Sequence, residues 1–495
     1  MPDIAPKRFQ WAPEGGFTSG AGSVYNGGSA VPATRRLAVE NTLSMDWDDT
    51  NETAAEARGT YAAQYTHAYH QTIVKGKMPA LMYVDDFRYV LRAVASGAPT
   101  VTTLPATPTA LLAATAIAAS MSVTTQPNAT ADAALSKMLA VTLANASATP
   151  TAVTVTVNGT GLTGGALSEV LNFSAGTTTS SKVGGGSGAL SVTLYTVNAF
   201  ATITTMTTSA QPASDTVAVG GVNGFLEVYT ADMGVSTLLS NTAEYFDGAA
   251  AWQVLGLILD KVKATAQIGK SFKVESDILA QQRIPLAAVT GSINPSALAG
   301  THDTMQNLAD MGIPALATNI TRFYVDPQGA AAGTTLVSAR LTEYTLAIDN
   351  QVKLVKTGDP VNYPKRASRG AYGPHLGNDF TLLFQSYSGS TSDPAELGQF
   401  LNKASRTVRC AFGGPYLPCG QLSSASGWPP ALLDQQGKAG TYGVMFDTSG
   451  RYTKTAEKVV EGLIAHTYTL SNEVDLVALG TSYIVTIVTR VNPNA

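Results

Sequence analysis

Residues 137–157 read KMLAVTLANASATPTAVTVTV. Leu139, Val141 and Leu143 alternate with small or polar residues. After a break at Asn145–Pro150, Val153, Val155 and Val157 alternate with threonines. A period of two sends successive side chains to opposite faces, the pattern of a half-buried strand. Leu190, Val192 and Leu194 repeat it, and each run ends at Gly, Asn or Ser. Short, evenly spaced alternating strands with turn residues between them predict a β-sandwich. Threonine, β-branched and polar, suits the solvent face of such a sheet and keeps it wet without charge.

This stretch lies inside a wider segment of unusual composition. Between Ala98 and Gly221 the charged residues are Asp132, Lys137, Glu169, Lys182 and Asp215. The segment opens with TVTTLPATPTALLAATAIAASMSVTTQPNAT (100–130), which reads as a Thr/Pro/Ala linker. Charge is ordinary before it and returns at Glu227, so residues 98–222 read as a separate domain inserted into another.

Upstream, residues 1–32 are rich in Gly, Ala and Ser, with Trp11, Phe17 and Tyr25 among them, and read as an extended arm. Residues 33–97 lead to Tyr83-Val84-Asp85-Asp86. Phe87, Val90, Leu91 and Val94 then fall at the spacing of one helix face. Asp85 is a candidate N-cap and Gly97 a candidate stop. Downstream, Val262, Ala264, Ala266 and Ile268 share one face, with Lys261, Lys263, Thr265 and Gln267 on the other. THDTMQNLADMG (301–312) reads as a helix. Tyr344, Leu346 and Ile348 alternate, and so do Phe380, Leu382 and Phe384. In SGSTSDPAELGQFLNKASR, Asp393, Pro394 and Glu396 read as a capping box, with Leu397, Phe400 and Leu401 as the buried face. A final β-rich stretch runs over Tyr483–Val491.

Strands, an acidic cap, a short helix and more strands therefore occur twice, the first copy being split by the insert. Thr242-Ala243-Glu244 and Thr455-Ala456-Glu457 read as a small echo of that duplication.

Composition narrows the function. The chain has 495 residues, 13% of them charged, against about 25% in an average soluble domain. Low charge suits a protein that hides its surface in an assembly, and suits an exported adhesin almost as well. With 31 basic and 35 acidic residues there is no basic footprint for tight nucleic-acid binding. No apolar run reaches membrane-span length, the longest candidate being Ala110–Met121, and MPDIAPKRFQWAPEGG has no signal-peptide pattern. Synthesis in a cytosol is the expectation.

The search for chemistry finds no site residues of catalytic, cofactor-binding or metal type, so the expectation is a non-enzyme without cofactors. His67 and His70 would face opposite ways on a strand; His302, His375 and His466 stand apart. Cys410 and Cys419 bracket AFGGPYLP, which is not a zinc spacing, and read as packing thiols, with late oxidation to a bridge as the alternative. Asp46, Asp48 and Asp49 lack a calcium-loop pattern and read as a solvated turn. The glycines of Gly184–Gly188 are not followed by a helix or a Lys-Ser/Thr pair, so they are no phosphate loop.

Six stretches carry a family likeness. LGNDFTLLFQSYSGSTSDPAELGQFLNKASRTVRCAF with TYTLSNEVDLVALGTSYIVTIVTRVN, and HQTIVKGKMPALMYVDDFRYVLRAV in the first half, resemble the tail tube proteins of long-tailed phages. VTVTVNGTGLTGGALSEVLNFSAGTTTSS, NAFATITTMT and SDTVAVG resemble the immunoglobulin-like modules found within phage structural proteins. In that likeness the Gly-Thr-Gly turn, the Ser-Glu-Val strand and the Ala-Phe-Ala-Thr strand are the matching features. The resemblance implies a mainly β chain of two tandem tail-tube sandwich or barrel repeats, each with a short flanking helix, plus an inserted immunoglobulin-like sandwich. The expected division is an arm (1–32), repeat 1 (33–97 and 223–312, the latter with a linker helix), the insert (98–222) and repeat 2 (313–495).

It further implies a virion protein: a tube subunit stacking as rings of three that imitate six-fold symmetry, around a lumen for DNA ejection. Implied partners are the chain itself and the tail terminator, tape measure and distal tail proteins. DNA would pass without specific binding, along a mildly acidic wall to which the 264–275 face and Tyr344–Asp349 are candidates. The insert would project outward, where a weak host-surface contact is open to it. The alternatives are another virion part, distal in the tail or on the capsid, and a glycan-binding adhesin. A tail-associated hydrolase is the enzyme alternative, and no residue pattern supports it.

Overall fold

The computed structural model describes residues 8–14, 35–37, 42–48, 51–53, 67–69, 73–81, 83–95, 99–104, 107–129, 135–146, 150–173, 190–231, 240–246, 250–285, 321–355, 366–368, 375–383, 395–422 and 427–490. The chain is mainly β. The first part holds β1 (Arg8–Pro13), β2 (Arg35–Leu37), β3 (Ser44–Asp48), β4 (Asn51–Thr53), β5 (His67–Tyr69), β6 (Ile73–Leu81), α1 (Val84–Ala95) and β7 (Thr100–Leu104). The insert holds β8 (Thr107–Ala116), β9 (Ser120–Met121), β10 (Lys137–Asn145), β11 (Val153–Thr160), β12 (Ala166–Phe173), β13 (Leu190–Phe200), β14 (Thr202–Thr208) and β15 (Asp215–Val222).

Then follow β16 (Gly224–Thr230), β17 (Asn241–Phe246), β18 (Ala251–Gln267), β19 (Lys273–Ala280) and β20 (Gln282–Pro285). The last part holds β21 (Thr321–Pro327), β22 (Leu341–Asp349), β23 (Lys353–Val355), β24 (Arg366–Ser368), β25 (His375–Leu383), α2 (Ala395–Leu401), β26 (Ser405–Tyr416), β27 (Thr441–Val460), β28 (Leu463–Asn472) and β29 (Tyr483–Thr489).

The insert is a sandwich of two four-stranded sheets, ordered β13-β10-β15-β8 and β12-β11-β14-β9. Leu139, Val141, Leu143, Val153, Val155 and Val157 all point into its core, as their alternation requires. The stretch read as a linker is strand instead: β7 pairs with β16 outside the sandwich, and β8 pairs with β15 inside it. Its threonines and alanines look like linker because β7 and β8 keep few large apolar residues. Ala199-Phe200-Ala201-Thr202 is likewise the corner from β13 to β14 and not a strand of its own.

Apart from the separate pairs β4–β5 and β23–β24, the remaining strands form sandwich layers around one large core. In one layer they run β3-β6-β19-β18-β22-β25-β28-β27, each pair antiparallel. Two long strands pass between layers. The first half of β18 pairs with β17 and β20, and its second half with β19 and β22. The first half of β27 pairs with β26 and β29, and its second half with β28. A bulge marks each crossover, at Asp260 and at Thr453. A bulge bends and twists a strand, which is what a change of layer needs.

The pairings of the last part restate those of the first. β1–β17–β18–β19–β6–β3, with β20 beside β18, is matched strand for strand by β21–β26–β27–β28–β25–β22, with β29 beside β27. Aligning the two bulges sets Lys261 against Lys454. Counting through the hydrogen-bonded partners then sets Asn241 against Arg406, and so Pro13 against Pro327. That register sets RFQWAP (8–13) against RFYVDP (322–327), and the sequence likeness runs on through Gly15 and Gly329.

Several local expectations change. Residues 8–14 of the supposed arm are a core strand, with Phe9 and Trp11 buried; Phe17 and Tyr25 lie outside the described residues. Asp85 is not the N-cap of α1. Helix hydrogen bonding starts at the Tyr83 carbonyl, which accepts from Phe87 N at 2.9 Å, and Asp85 lies inside the first turn. Asp46 and Asp48 belong to β3 and not to a turn. Ile268 sits past the end of β18 and is exposed, although Val262, Ala264 and Ala266 are buried. In α2, Leu397 and Phe400 are half-buried but Leu401 is 71% exposed. Thr242–Glu244 lies on β17 and Thr455–Glu457 on the second half of β27, so that echo joins positions that do not correspond. Gly97, the 301–312 helix, Phe384, Asp393 and Pro394 lie outside the described residues.

Candidate assembly surface

The eight strands from β3 to β27 turn one face to the core and one to solvent. Across the solvent face, charge alternates from strand to strand. Ser44, Lys77, Asp277, Lys261, Asp349 and His375 lie in one cross-strand row, from β3 to β25. Asp46 opposes Lys75, and Lys263 opposes Glu275. Lys261 Nζ reaches Asp349 Oδ2 at 3.8 Å, both side chains being part exposed. Lys458 Nζ meets Glu343 Oε2 at 2.7 Å. Burial works to raise the Glu343 carboxyl, but the Lys458 and Gln267 hydrogen bonds outweigh it and hold the group below its ordinary value. Opposite charges directly across a sheet add roughly 0.2–1 kcal/mol each. The acidic wall expected of this face is thus a mixed one.

Two edges of this layer carry no strand among the described residues: the far side of β3, and the far side of β27 beyond Arg451. Trp47 on β3 is 50% exposed, and Arg283 lies 4.7 Å from its ring centroid. The same Arg283 donates to the Met45 carbonyl. Val459, Leu463 and Ile464 at the tip of the β27–β28 hairpin are exposed apolar side chains. Long exposed edges invite pairing with another chain.

Beneath α1 lies a buried charged cluster. Arg88 Nη1 stands 3.3 Å from Glu227 Oε1, both fully buried, and the Tyr229 hydroxyl donates to Glu227 Oε2 at 2.6 Å. Burial raises the Glu227 carboxyl above its ordinary value, although Arg88 pulls it down. Asp85 pairs with Arg490 at 3.4 Å and accepts from Thr489. Glu396 of α2 pairs with Arg406 at 2.8 Å and accepts from Tyr452; Asp393 and Pro394, the other members of the expected capping box, lie outside the described residues. These clusters tie each helix to the strands. Missed in the sequence, they have no motif: their members lie as far apart as Asp85 and Arg490.

The residues singled out for chemistry do not converge. His375 opens β25 and is exposed, and His466 on β28 stacks near Tyr468. His67 lies on β5, while His70, His302, Asp49 and the 184–188 glycines lie outside the described residues. Cys410 and Cys419 are both buried and unbridged. Burial pushes the Cys410 thiol far up, and Cys419 Sγ donates to the Asn223 carbonyl at 3.2 Å. Among the described residues no group of His, Cys, Asp or Glu is arranged to hold a metal ion, and no helix is long and apolar enough to cross a membrane.

No family model and no curated protein matches the chain. What can be argued of its role comes from the surface itself. A mixed-charge sheet face flanked by two open edges can extend through copies of itself. The insert joins the rest of the chain through the β7–β16 stem, which closes where Leu104 pairs with Gly224. A small apolar cluster of Met138, Ala140, Ala199, Val222 and Phe225 seats the insert on that stem.

Proposed function

We propose that this chain is the structural subunit of a phage tail tube, built as two tandem tube repeats with an immunoglobulin-like insert. Three chains then make a ring of six repeats, and rings stack into the hollow conduit for DNA ejection. The observation that carries this reading is the doubled pairing pattern with its internal β18–β22 joint. One chain already holds two sandwich units whose sheets continue into each other, leaving an open edge at each end. A head-to-tail contact of that kind closes into a ring, and rings with unlike faces stack as a filament. Closure also removes the exposed edges.

The solvent face of the eight-stranded layer suits a lumen wall. DNA grips proteins that neutralise its phosphates with clustered Lys and Arg. Here each lysine row is interrupted by carboxylates such as Asp277 and Asp349. The tail terminator, tape measure and distal tail proteins would meet the ends of the stack. Virion location follows from the same reading.

Negative-stain electron microscopy of the purified chain, with and without residues 105–223, tests it. Hollow filaments or stacked rings in both samples are expected. A discrete monomer in both, also after seeding with preformed tube ends, would count against the tube and favour an adhesin or another virion part.

A further inference from the structure

The internal joint between the two sheets has residues whose counterparts lie at the two edges of the layer, where no strand pairs with them among the described residues. At the joint, β18 pairs with β22: Lys261 opposes Asp349, Lys263 opposes Ala347 and Ala266 opposes Tyr344. The doubled register makes β27 the counterpart of β18 and β3 the counterpart of β22. It sets Leu346 against Met45 through the chain of partners Leu259–Ile278–Gly76–Met45 and Tyr452–Leu470–Asn378–Leu346. Ala266 is fully buried at the joint, whereas its counterpart Val459 is 67% exposed. Ile348 is 2% exposed, whereas its counterpart Trp47 is 50% exposed.

We infer that the second half of β27 pairs antiparallel with β3 of a second copy of this chain, in the register of the internal β18–β22 joint. Lys454 then lies opposite Asp48 of the neighbouring copy, Ala456 opposite Asp46, and Glu457 opposite Met45. The charge alternation of the solvent face continues without a break: Lys261 opposite Asp349 inside the chain becomes Lys454 opposite Asp48 between chains. Val459 and Trp47 lose their exposure, as Ala266 and Ile348 have done. Main-chain hydrogen bonds supply the affinity of such strand addition, and the side-chain register supplies its specificity. This contact rests on the tube reading and adds to it the two strands and the register that join the copies.

Paired cysteines test it in the full-length chain. The variant carrying Ala456→Cys and Asp46→Cys places two thiols directly opposite across the proposed contact. Lys263→Cys with Ala347→Cys is the intrachain control at the internal joint. Lys454→Cys with Asp46→Cys is out of register by two residues. Cys410 and Cys419 are buried and stay in place. Particles are first imaged, then oxidised and run without reductant. The expected result is dimer and trimer bands from the first variant, with trimer the largest species, and no comparable yield from the out-of-register pair. Hollow particles whose 456/46 cysteines stay monomeric, or cross-link better out of register, would overturn the pairing while leaving the tube reading intact. Absence of any hollow particle from the wild-type chain would overturn both.

Discussion

Glu227 sits at the centre of the strongest local constraint. Its carboxylate is shared by Arg88 and Tyr229 with no water-facing side. Removing one partner of a buried pair strands the other charge, at about 3–5 kcal/mol. Glu227→Ala is therefore expected to lower stability by that amount, read as a fall in the urea midpoint. Two other carboxylates set the acid limit. Burial works to raise Asp326, but donors from Thr334, Gly333 and Thr335 outweigh it and hold it low. Asp475 is held low against burial by Ala478, Gly329, Thr407 and Val477.

Both have folded pKa values below their unfolded value of about 3.9. Their contribution is present above that value and is lost as pH falls through the folded values. The Asp326→Asn, Asp475→Asn double variant is expected to be less stable near neutrality and to show a flatter loss of urea midpoint as pH falls below about 3.9. Neither role was readable from sequence. Asp326 looks like any acid before Pro327, and Asp475 like a solvated loop acid, because their donors are backbone amides and one threonine hydroxyl each, which the sequence alone does not place beside them.

At the scale of elements, alternation was the legible signal, and it found β10, β11 and β13 of the insert together with β18, β22 and β25. It failed where composition misled. β3 reads Ser-Met-Asp-Trp-Asp, and Asp disfavours strands, yet Met45 packs inward while Asp46 faces solvent beside Lys75. Its backing is tight: a Cβ on Gly76 would run into the Ser44 carbonyl. Gly76→Ala is expected to loosen β3 from β6, lowering assembly more than thermal stability; sedimentation of particles against a melting curve separates the two. The β7–β16 stem carries a second expectation. Since Leu104 already pairs with Gly224, residues 105–223 can give way to a two-residue Asn-Gly hairpin turn. The shortened chain should melt within a few degrees of the full chain above the transition of the insert, which has a core of its own. An aggregated or molten product would show the insert to be needed for folding.

For the whole molecule, the order of strands and helices read twice along the sequence already suggested a doubled plan. The small echo beside that order, Thr242–Glu244 against Thr455–Glu457, joins unlike positions. The better echo, RFQWAPEGG against RFYVDPQGA, is hard to see because its first member lies in a segment whose Gly, Ala and Ser content resembles an arm. A repeat keeps its fold through pairing and burial pattern while its residues diverge, so register found what identity obscured. Assembly is the least legible level, since edges exist only once strands are placed.

The most direct measurement is end-on cryo-electron microscopy averaging of single rings. Six repeats around the inner wall with three outward knobs, one per insert, is the predicted image. Six knobs around the ring, or a solid centre, would contradict it.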